Sequence, residues 1–211
     1  MTKHTITLPD GYKSRDPKDG SLNRVVEFGK RPTAADQIKI DNNSQSGLEV
    51  QRTLLYARDA ITAFGSMERF PPPLSLLMGL SSRDRDAMVE GYVDFLGASL
   101  GDRVADSLSE HEHKLAFGLE IEGEAYDVLV FGGEDKQYTG YDDLKVEKQY
   151  GTGLKRDLAY IGRDVCKLAQ SEGGLTVEGE VSADALTKLD MFDVGKLVEF
   201  YAQRRGNFRK G

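Results

Sequence analysis

Histidine and cysteine, the side chains most used in acid–base and metal chemistry near neutral pH, are few in this chain: it has three histidines and one cysteine. The only histidine cluster is His111-Glu112-His113, and side chains two residues apart share a face only on a β-strand. A metal site needs further ligands, and the neighbouring sequence offers no third ligand at a suitable spacing. We therefore predict a solvated polar segment here, with no metal site and no cofactor.

Nucleophilic and phosphate-binding chemistry is not indicated either. The single cysteine, Cys166, follows Val165 in an apolar pattern, and no activating base is evident, so we predict a partly buried structural thiol. The glycines at Gly132-Gly133 and Gly151-Thr152-Gly153 lack the spacing of a phosphate-binding loop and are typical of turns. We predict no catalytic residues and a protein that is not an enzyme.

Composition and charge limit the partners. The chain has 211 residues, a hydrophobic content of 39% and a formal charge of -7. Residues 101–150 hold 13 acidic and 5 basic side chains, and such a block repels a phosphate backbone. No apolar run approaches the roughly 20 residues that span a bilayer. We expect a protein that is made in the cytoplasm, with no membrane contact and no general affinity for nucleic acid.

Acidic side chains also surround a predicted hairpin turn. Glu120, Glu122 and Glu124 alternate along it, which is typical of a solvated strand face. A docking surface for a basic partner is the alternative.

The elements that would position these residues follow one plan twice. Two strands come first, at 4–8 and 25–28 and again at 117–121 and 126–131. A Thr-x-x-Asp helix start follows, at Thr33 and at Thr139. A helical stripe comes next, and each stripe has steps of 4, 3, 4 and 3. The stripes are Val50, Leu54, Ala57, Ile61, Phe64 and Leu154, Leu158, Ile161, Val165, Leu168.

The separation between matching positions is nearly constant. It is 103 for Phe28 and Phe131, 104 for the stripes, and 105 if Val93-Asp94-Phe95 is matched with Val198-Glu199-Phe200. We interpret this as an internal duplication, while chance similarity between amphipathic helices is the alternative. The predicted fold is α+β, with two related lobes that each contain a hairpin-like strand pair and about three helices. The lobes are residues 1–100 and 115–211, joined by a linker at 101–114, and the second ends in a basic tail.

Two segments are candidate partner-binding surfaces. A triple proline precedes an apolar stretch, which predicts either a rigid connector that enters the core or an exposed apolar contact. The C-terminal segment concentrates positive charge, which predicts either a frayed helix end or a contact with an acidic neighbour or nucleic acid. The candidate residues are Phe70, Leu74, Leu77, Met78, Arg204, Arg205, Phe208 and Arg209.

A resemblance to a known group of proteins covers most of residues 5–96. It rests on residues 26–36, 70–77, 80–86 and 92–96, on the opening Thr7-Leu8-Pro9-Asp10-Gly11, and on Leu77-Met78-Gly79-Leu80-Ser81-Ser82-Arg83-Asp84. This pattern resembles small proteins from the tail-module region of tailed bacteriophages and prophages, which include tail assembly chaperones and small baseplate proteins. The second half follows the pattern only loosely.

The resemblance implies a non-enzymatic role in phage tail or baseplate morphogenesis, with other tail or baseplate proteins as partners and an oligomeric place in a larger assembly. Such a protein acts in the host cytoplasm during assembly, and a resident component is retained in the virion tail. The alternative function is a nucleic-acid-binding regulator that uses the C-terminal helix and basic tail. A further alternative is an enzyme whose site is assembled from scattered carboxylates.

Overall fold

The chain forms an α+β fold of two compact units. The structure is a computed structural model that describes residues 3–13, 22–43, 49–132 and 139–208. Unit 1 comprises Met1–Pro32 and Lys39–Gly101, and unit 2 comprises Thr33–Ile38 and Asp102–Gly211. The segment Thr33–Ile38 therefore belongs with the second unit, although the sequence places it within the first predicted lobe.

Unit 1 is built on a three-stranded antiparallel sheet in the order β1-β2-β3. Helices pack on this sheet and close a core that includes Leu8, Phe28, Leu54, Phe64 and Met88. The elements are β1 (His4–Lys13), β2 (Leu22–Phe28), α1 (Ala34–Asn43, whose first residues belong to unit 2), α2 (Glu49–Ala60), β3 (Ile61–Phe64), α3 (Leu74–Met78) and α4 (Ser82–Leu100).

Unit 2 is built on a five-stranded sheet in the order β4-β5-β6-β7-β8, and all neighbouring strands are antiparallel. Its core includes Leu119, Leu129, Phe131, Leu158 and Leu197. The elements are β4 (Asp106–Ser109), β5 (Glu112–Ile121), β6 (Glu124–Phe131), α5 (Gly140–Tyr150), α6 (Leu154–Asp164), β7 (Val165–Ala169), β8 (Thr176–Glu178), α7 (Ala183–Leu186) and α8 (Met191–Phe208).

The predicted Thr-x-x-Asp helix starts are both capping boxes. The backbone N–H and the hydroxyl of Thr33 donate to Asp36, and the Asp36 N–H donates to the Thr33 hydroxyl. Thr139 and Asp142 make the same reciprocal contacts at the start of α5. Each box satisfies donors that a helix start would otherwise leave unpaired.

The helical stripes were predicted correctly only in their first part. Leu54 and Ala57 are buried on α2, but Ile61 and Phe64 lie on β3; the side chain of Val50 lies outside the described residues. The second stripe divides in the same way between α6 and β7. Residues three apart normally point to opposite faces of a strand, yet the two stripe residues on β3 are both buried, as are the two on β7. The pairing of each of these strands with its neighbour contains a register irregularity.

A buried aspartate joins the last helix of each unit to a strand of its sheet, β1 in unit 1 and β5 in unit 2. The Asp84 carboxylate of α4 accepts hydrogen bonds from the N–H groups of Asp10 and Gly11, at 2.9 and 3.1 Å. The Asp193 carboxylate of α8 accepts from Ala116 and Phe117, at 2.6 and 2.9 Å. Both aspartates are fully buried. We refer to each arrangement as an aspartate clamp.

Each clamp lies beside an irregularity in its strand. Register shifts fall between Thr7 and Tyr12 in β1 and between Lys114 and Leu119 in β5. Gly11 and Gly118 both have a φ of 75° there, a conformation that glycine adopts without steric cost. The irregularity frees consecutive N–H groups from the ladder and presents them to the carboxylate.

The clamps correct the sequence alignment of the last helices. Asp84 and Asp193 are 109 positions apart, whereas the sequence comparison matched these helices at a separation of 105. The difference of four residues is close to one helical turn, so both alignments keep the same face of the helix. Among the described residues, no helix is both long enough and apolar enough to span a membrane.

The predicted linker at residues 101–114 differs from the structure. Residues 106–109 form β4, which pairs with β5 from Glu112 onward. His113 is buried at 2% exposure, so the prediction of a solvated segment is wrong for this residue. The sequence shows no apolar alternation here, because β4 is an edge strand whose side chains are all exposed.

We predict that Asp84→Asn and Asp193→Asn each lower the free energy of unfolding by about 2 kcal/mol, because an amide offers one acceptor oxygen and turns an N–H group toward a donor. Urea denaturation measures the change. Asp94→Asn, on the exposed face of α4, is the matched control and is expected to change stability by less than about 0.5 kcal/mol. Equal stability of all three variants would contradict the clamp.

Candidate interaction surfaces

The segment after the triple proline divides between the core and the surface of unit 1. Phe70 and Met78 are 37% and 43% exposed, and Leu74 is half-buried. Leu77 is fully buried in the core, so its prediction as a partner contact is wrong. Leu77 is buried because α3 is a single short helix that turns one face inward. The segment thus enters the core through Leu77 and leaves Phe70 and Met78 exposed, while a partner contact at the exposed residues stays a prediction.

An arginine closes the turn that follows α3. The guanidinium of Arg85 donates to the backbone carbonyls of Met78 and Leu80, at 3.2 and 3.0 Å. Both acceptors are carbonyl groups near the C-terminal end of α3, where a helix leaves acceptors unpaired. We call the Met78 and Leu80 carbonyls the unit 1 carbonyl pair.

The matching turn of unit 2 is closed by the main chain. The N–H of Ala35 donates to the Thr187 carbonyl at 2.8 Å, and the N–H of Ala34 donates to the Leu189 carbonyl at 3.0 Å. Thr33 also forms a β-bridge with Asp190. Ala34 is fully buried in the unit 2 core. The start of one helix is therefore docked on the end of another.

The start of α5 is exposed, in contrast to the start of α1. Tyr141 is 79% exposed and Leu144 is 48% exposed, and a Cβ on Gly140 would meet no atom of the described residues within 4 Å. The capping box holds the pKa of Asp142 below its ordinary value, chiefly through the hydrogen bond from the Thr139 backbone N–H. The sequence predicted this helix start but not the exposure of its apolar residues.

The C-terminal arginines differ from one another in the structure. Arg204 is buried, donates to the Gly132 carbonyl and stacks on the Phe131 ring at 5.5 Å, so its prediction as a surface contact is wrong. Arg205 is exposed and lies over the Tyr160 and Tyr201 rings, at 5.9 and 5.7 Å. Phe208 ends α8, but its side chain lies outside the described residues, as does the whole of Arg209.

The neighbouring tyrosine is tied to a carboxylate. The Tyr201 hydroxyl donates to Asp164 at 2.6 Å, and burial together with this hydrogen bond raises the pKa of Tyr201. The exposed guanidinium of Arg205 thus lies over the Tyr201 ring, whose position is fixed by the hydrogen bond to Asp164. Cation–aromatic stacking of this kind contributes about 0.5–1 kcal/mol at an exposed site.

Unit 2 has a concave surface, a groove of about 690 Å³. Its apolar residues include Val104 and Leu108, which are 59% and 53% exposed, and Phe117, over which Arg103 stacks at 5.2 Å. Its carboxylates outnumber its cations: they are Asp102, Asp106, Asp127 and Glu172, against Arg103 and Lys114. We call this the unit 2 groove. Its residue types fit a polypeptide segment that combines apolar and basic side chains.

The wall of the groove is held in place by side-chain contacts. Asp127 accepts hydrogen bonds from the backbone N–H of Ser171, at 2.7 Å, and from its hydroxyl. The Gln170 amide donates to the Ala125 carbonyl at 2.8 Å. These contacts tie the chain after β7 to β6. A groove that is held in this way would lose little conformational entropy if a ligand occupied it.

His113 lines a smaller cavity of about 180 Å³, together with Asp106, Lys196, Glu199 and other residues. Its ring lies against Phe200 at 5.1 Å, and neither ring nitrogen has a hydrogen-bond partner in the described part of the chain. Burial lowers the pKa of His113 to about 4, against an opposing effect of Asp106. His113 is therefore neutral at pH 7. Within the described residues, no group of three or more His, Cys, Asp or Glu side chains is arranged to hold a metal ion.

The position of His113 has an apolar counterpart in unit 1. His113 pairs with Leu129 across the sheet, as Ile6 pairs with Val26. Gly91 packs so closely on Ile6 that a Cβ there would lie 2.5 Å from the Ile6 side chain. The ring of Phe200 packs against His113 in unit 2, so the histidine occupies a core position that no sequence pattern indicated.

We predict that lowering the pH from 7 to 4 destabilises the protein in part through His113. Its folded pKa of about 4 lies below the ordinary value of 6.5, so the unfolded chain binds the proton more tightly and the stabilising contribution is lost as the pH falls. The expected loss is about 1–3 kcal/mol. His113→Phe is expected to reduce the pH dependence of the urea midpoint by this amount, and the half-buried control His111→Phe is expected to retain it. A His113→Phe profile that matches the wild type would refute the assignment.

Comparison with models of known protein families found no match. Comparisons with curated proteins and with solved structures found no match either.

Proposed function

We propose that this protein is a non-enzymatic component of tail or baseplate assembly in a tailed bacteriophage or prophage, and that it acts by binding other tail or baseplate proteins. The observation that carries the proposal is the unit 2 groove, because its exposed valine and leucine and its excess of carboxylates match a protein segment better than a small polar substrate. The sequence resemblance to tail-module proteins supplies the class of partner.

The acidic character of the groove agrees with the charge of the surrounding chain. Residues 101–150 carry 13 acidic and 5 basic side chains, and the groove draws most of its residues from this block. A basic segment of a partner would be attracted to it over about a Debye length, roughly 8 Å at physiological salt. Apolar contacts with Val104 and Leu108 would then add affinity that depends little on salt.

The nucleic-acid-binding alternative is less well supported. Arg204, which would be one of its cations, is buried and bonded to the Gly132 carbonyl. Arg205 is stacked on two tyrosines. The protein as a whole carries a formal charge of -7, which opposes binding to a phosphate backbone.

The proposal includes two forms of action. An assembly chaperone covers an apolar segment of another tail protein and then leaves, whereas a resident component stays in the particle. Host cytoplasm is the site of action for the first form, and the virion tail is the final location for the second. Quantitative mass spectrometry of purified particles separates them, since absence from the particle contradicts the resident form.

We predict that Val104→Asp and Leu108→Asp reduce the amount of tail or baseplate protein that co-purifies with the tagged chain from particle-producing cells by at least about fivefold, because each places a charge on an apolar contact surface. Label-free mass spectrometry of the eluate measures the change. Val93→Asp is the matched control, since Val93 is also 59% exposed but lies on α4 of unit 1. If no tail or baseplate protein co-purifies with the wild type, or if all three variants recover equal amounts, the proposal is wrong.

A further inference from the structure

The turns after α3 and α7 have equivalent internal hydrogen bonds. Among the described residues, only the turn after α7 accepts hydrogen bonds from the main chain of another helix start. The hydrogen bond from Leu80 to Leu77 matches that from Leu189 to Leu186, and the bond from Gly79 to Leu76 matches that from Lys188 to Ala185. Every one of these positions is separated from its counterpart by 109 residues, as are the two clamp aspartates. Met78 and Leu80 therefore correspond to Thr187 and Leu189.

The two turns present the same carbonyl pair to different donors. In unit 2, the Thr187 and Leu189 carbonyls accept from the N–H groups of Ala35 and Ala34. In unit 1, the Met78 and Leu80 carbonyls accept from the Arg85 side chain. Arg85 corresponds to Val194, which is buried and apolar. A half-exposed, long cation thus occupies the place that the start of a helix takes in unit 2.

A matching helix start is present in the chain and is exposed. Thr139 and Asp142 form the same capping box as Thr33 and Asp36, so Gly140 and Tyr141 correspond to Ala34 and Ala35. The capping box satisfies the N–H of Asp142, but the first two N–H groups of a helix have no acceptor within the helix. Among the described residues, no atom lies within 4 Å of a Cβ placed on Gly140, and Tyr141 is 79% exposed.

We propose that the start of α5 in one copy of this chain docks on the unit 1 carbonyl pair of a second copy. The Gly140 N–H then donates to the Leu80 carbonyl and the Tyr141 N–H donates to the Met78 carbonyl, in the arrangement that Ala34 and Ala35 have in unit 2. Arg85 leaves the carbonyls and is solvated. The exposed side chain of Tyr141 lies against the apolar surface that Leu74 and Met78 form beside the turn.

The contact is heterologous, because donor and acceptor lie on different units. A contact of this kind repeats from copy to copy and produces a ring if it closes and a filament if it does not. Each docking event exchanges hydrogen bonds to Arg85 and water for main-chain hydrogen bonds, so the net gain per bond is small. We therefore expect self-association that depends on concentration. This inference does not depend on the proposed function, and either can fail alone.

The matched pair Gly140→Pro and Gly140→Ala tests the donor. Proline lacks the N–H but is well accepted at the first position of a helix, and the extended backbone of Thr139 (φ -86°, ψ 161°) suits a following proline. Sedimentation velocity over a concentration series is expected to show self-association weakened by about three- to tenfold in Gly140→Pro. Gly140→Ala, which keeps the N–H, is expected to associate as the wild type does.

Arg85→Ala tests the acceptor and is expected to act in the opposite direction. Removing the guanidinium exposes the carbonyl pair, so association strengthens by about threefold or more, whereas a purely structural role for Arg85 would only lower the folding stability. Circular dichroism of each variant verifies that it is folded. A wild-type protein that stays monomeric at all concentrations, or equal association of Gly140→Pro and Gly140→Ala, would overturn the proposal.

A disulfide experiment locates the contact. In a Cys166→Ser background, Met78→Cys combined with Tyr141→Cys is expected to give a ladder of disulfide-linked copies on non-reducing gels. Met78→Cys combined with Val177→Cys, where Val177 is an exposed residue of β8, is the control and is expected to give at least about fivefold less. Equal ladders from the two pairs would show that the copies meet elsewhere.

Discussion

The aspartate clamp is the interaction on which the rest of each unit depends. A helix that packs on a sheet can slide along it at small cost in apolar contact, because similar side chains recur every turn. A buried carboxylate that accepts from two successive N–H groups removes this freedom, since any shift would leave a charge unpaired away from water. Asp84 and Asp193 therefore set the position of α4 and α8. The aromatic contacts of Tyr92 and Tyr201 with the strand phenylalanines follow from that position.

Much of the fold could be predicted from local sequence, since strands and capping boxes are short-range features. Thr33 with Asp36 and Thr139 with Asp142 form the capping boxes that their spacing indicates. Periodicity could not settle the register of α8, because a shift of four residues preserves a helical face. It also could not separate α2 from β3, since Ile61 and Phe64 continue the helical spacing on a distorted strand. The internal duplication stays a prediction, which the shared order of elements favours.

The candidate surfaces were harder to predict, because exposure is decided by packing that a single segment does not encode. Leu77 and Arg204 are buried, yet each is followed by an exposed residue of similar chemistry, Met78 and Arg205. Arg204 is buried because it takes the position that Phe95 has in unit 1, where the ring stacks on Phe28. The unit 2 groove combines residues from four separate stretches of chain. A surface of this kind cannot be predicted from one linear motif, although the acidic residues between 101 and 150 indicated its negative charge.

The two units differ most where their connecting segments differ. Matching positions are 104 residues apart at Phe64 and Leu168 but 109 apart at Pro73 and Ser182, so unit 2 has five more residues between its strand and its short helix. That longer segment contains β8, which pairs with β7. In unit 1 the shorter segment contains Pro71, Pro72 and Pro73, which have no N–H to donate to a ladder. A local difference in chain length and proline content thus gives the sheets of the two units different edges.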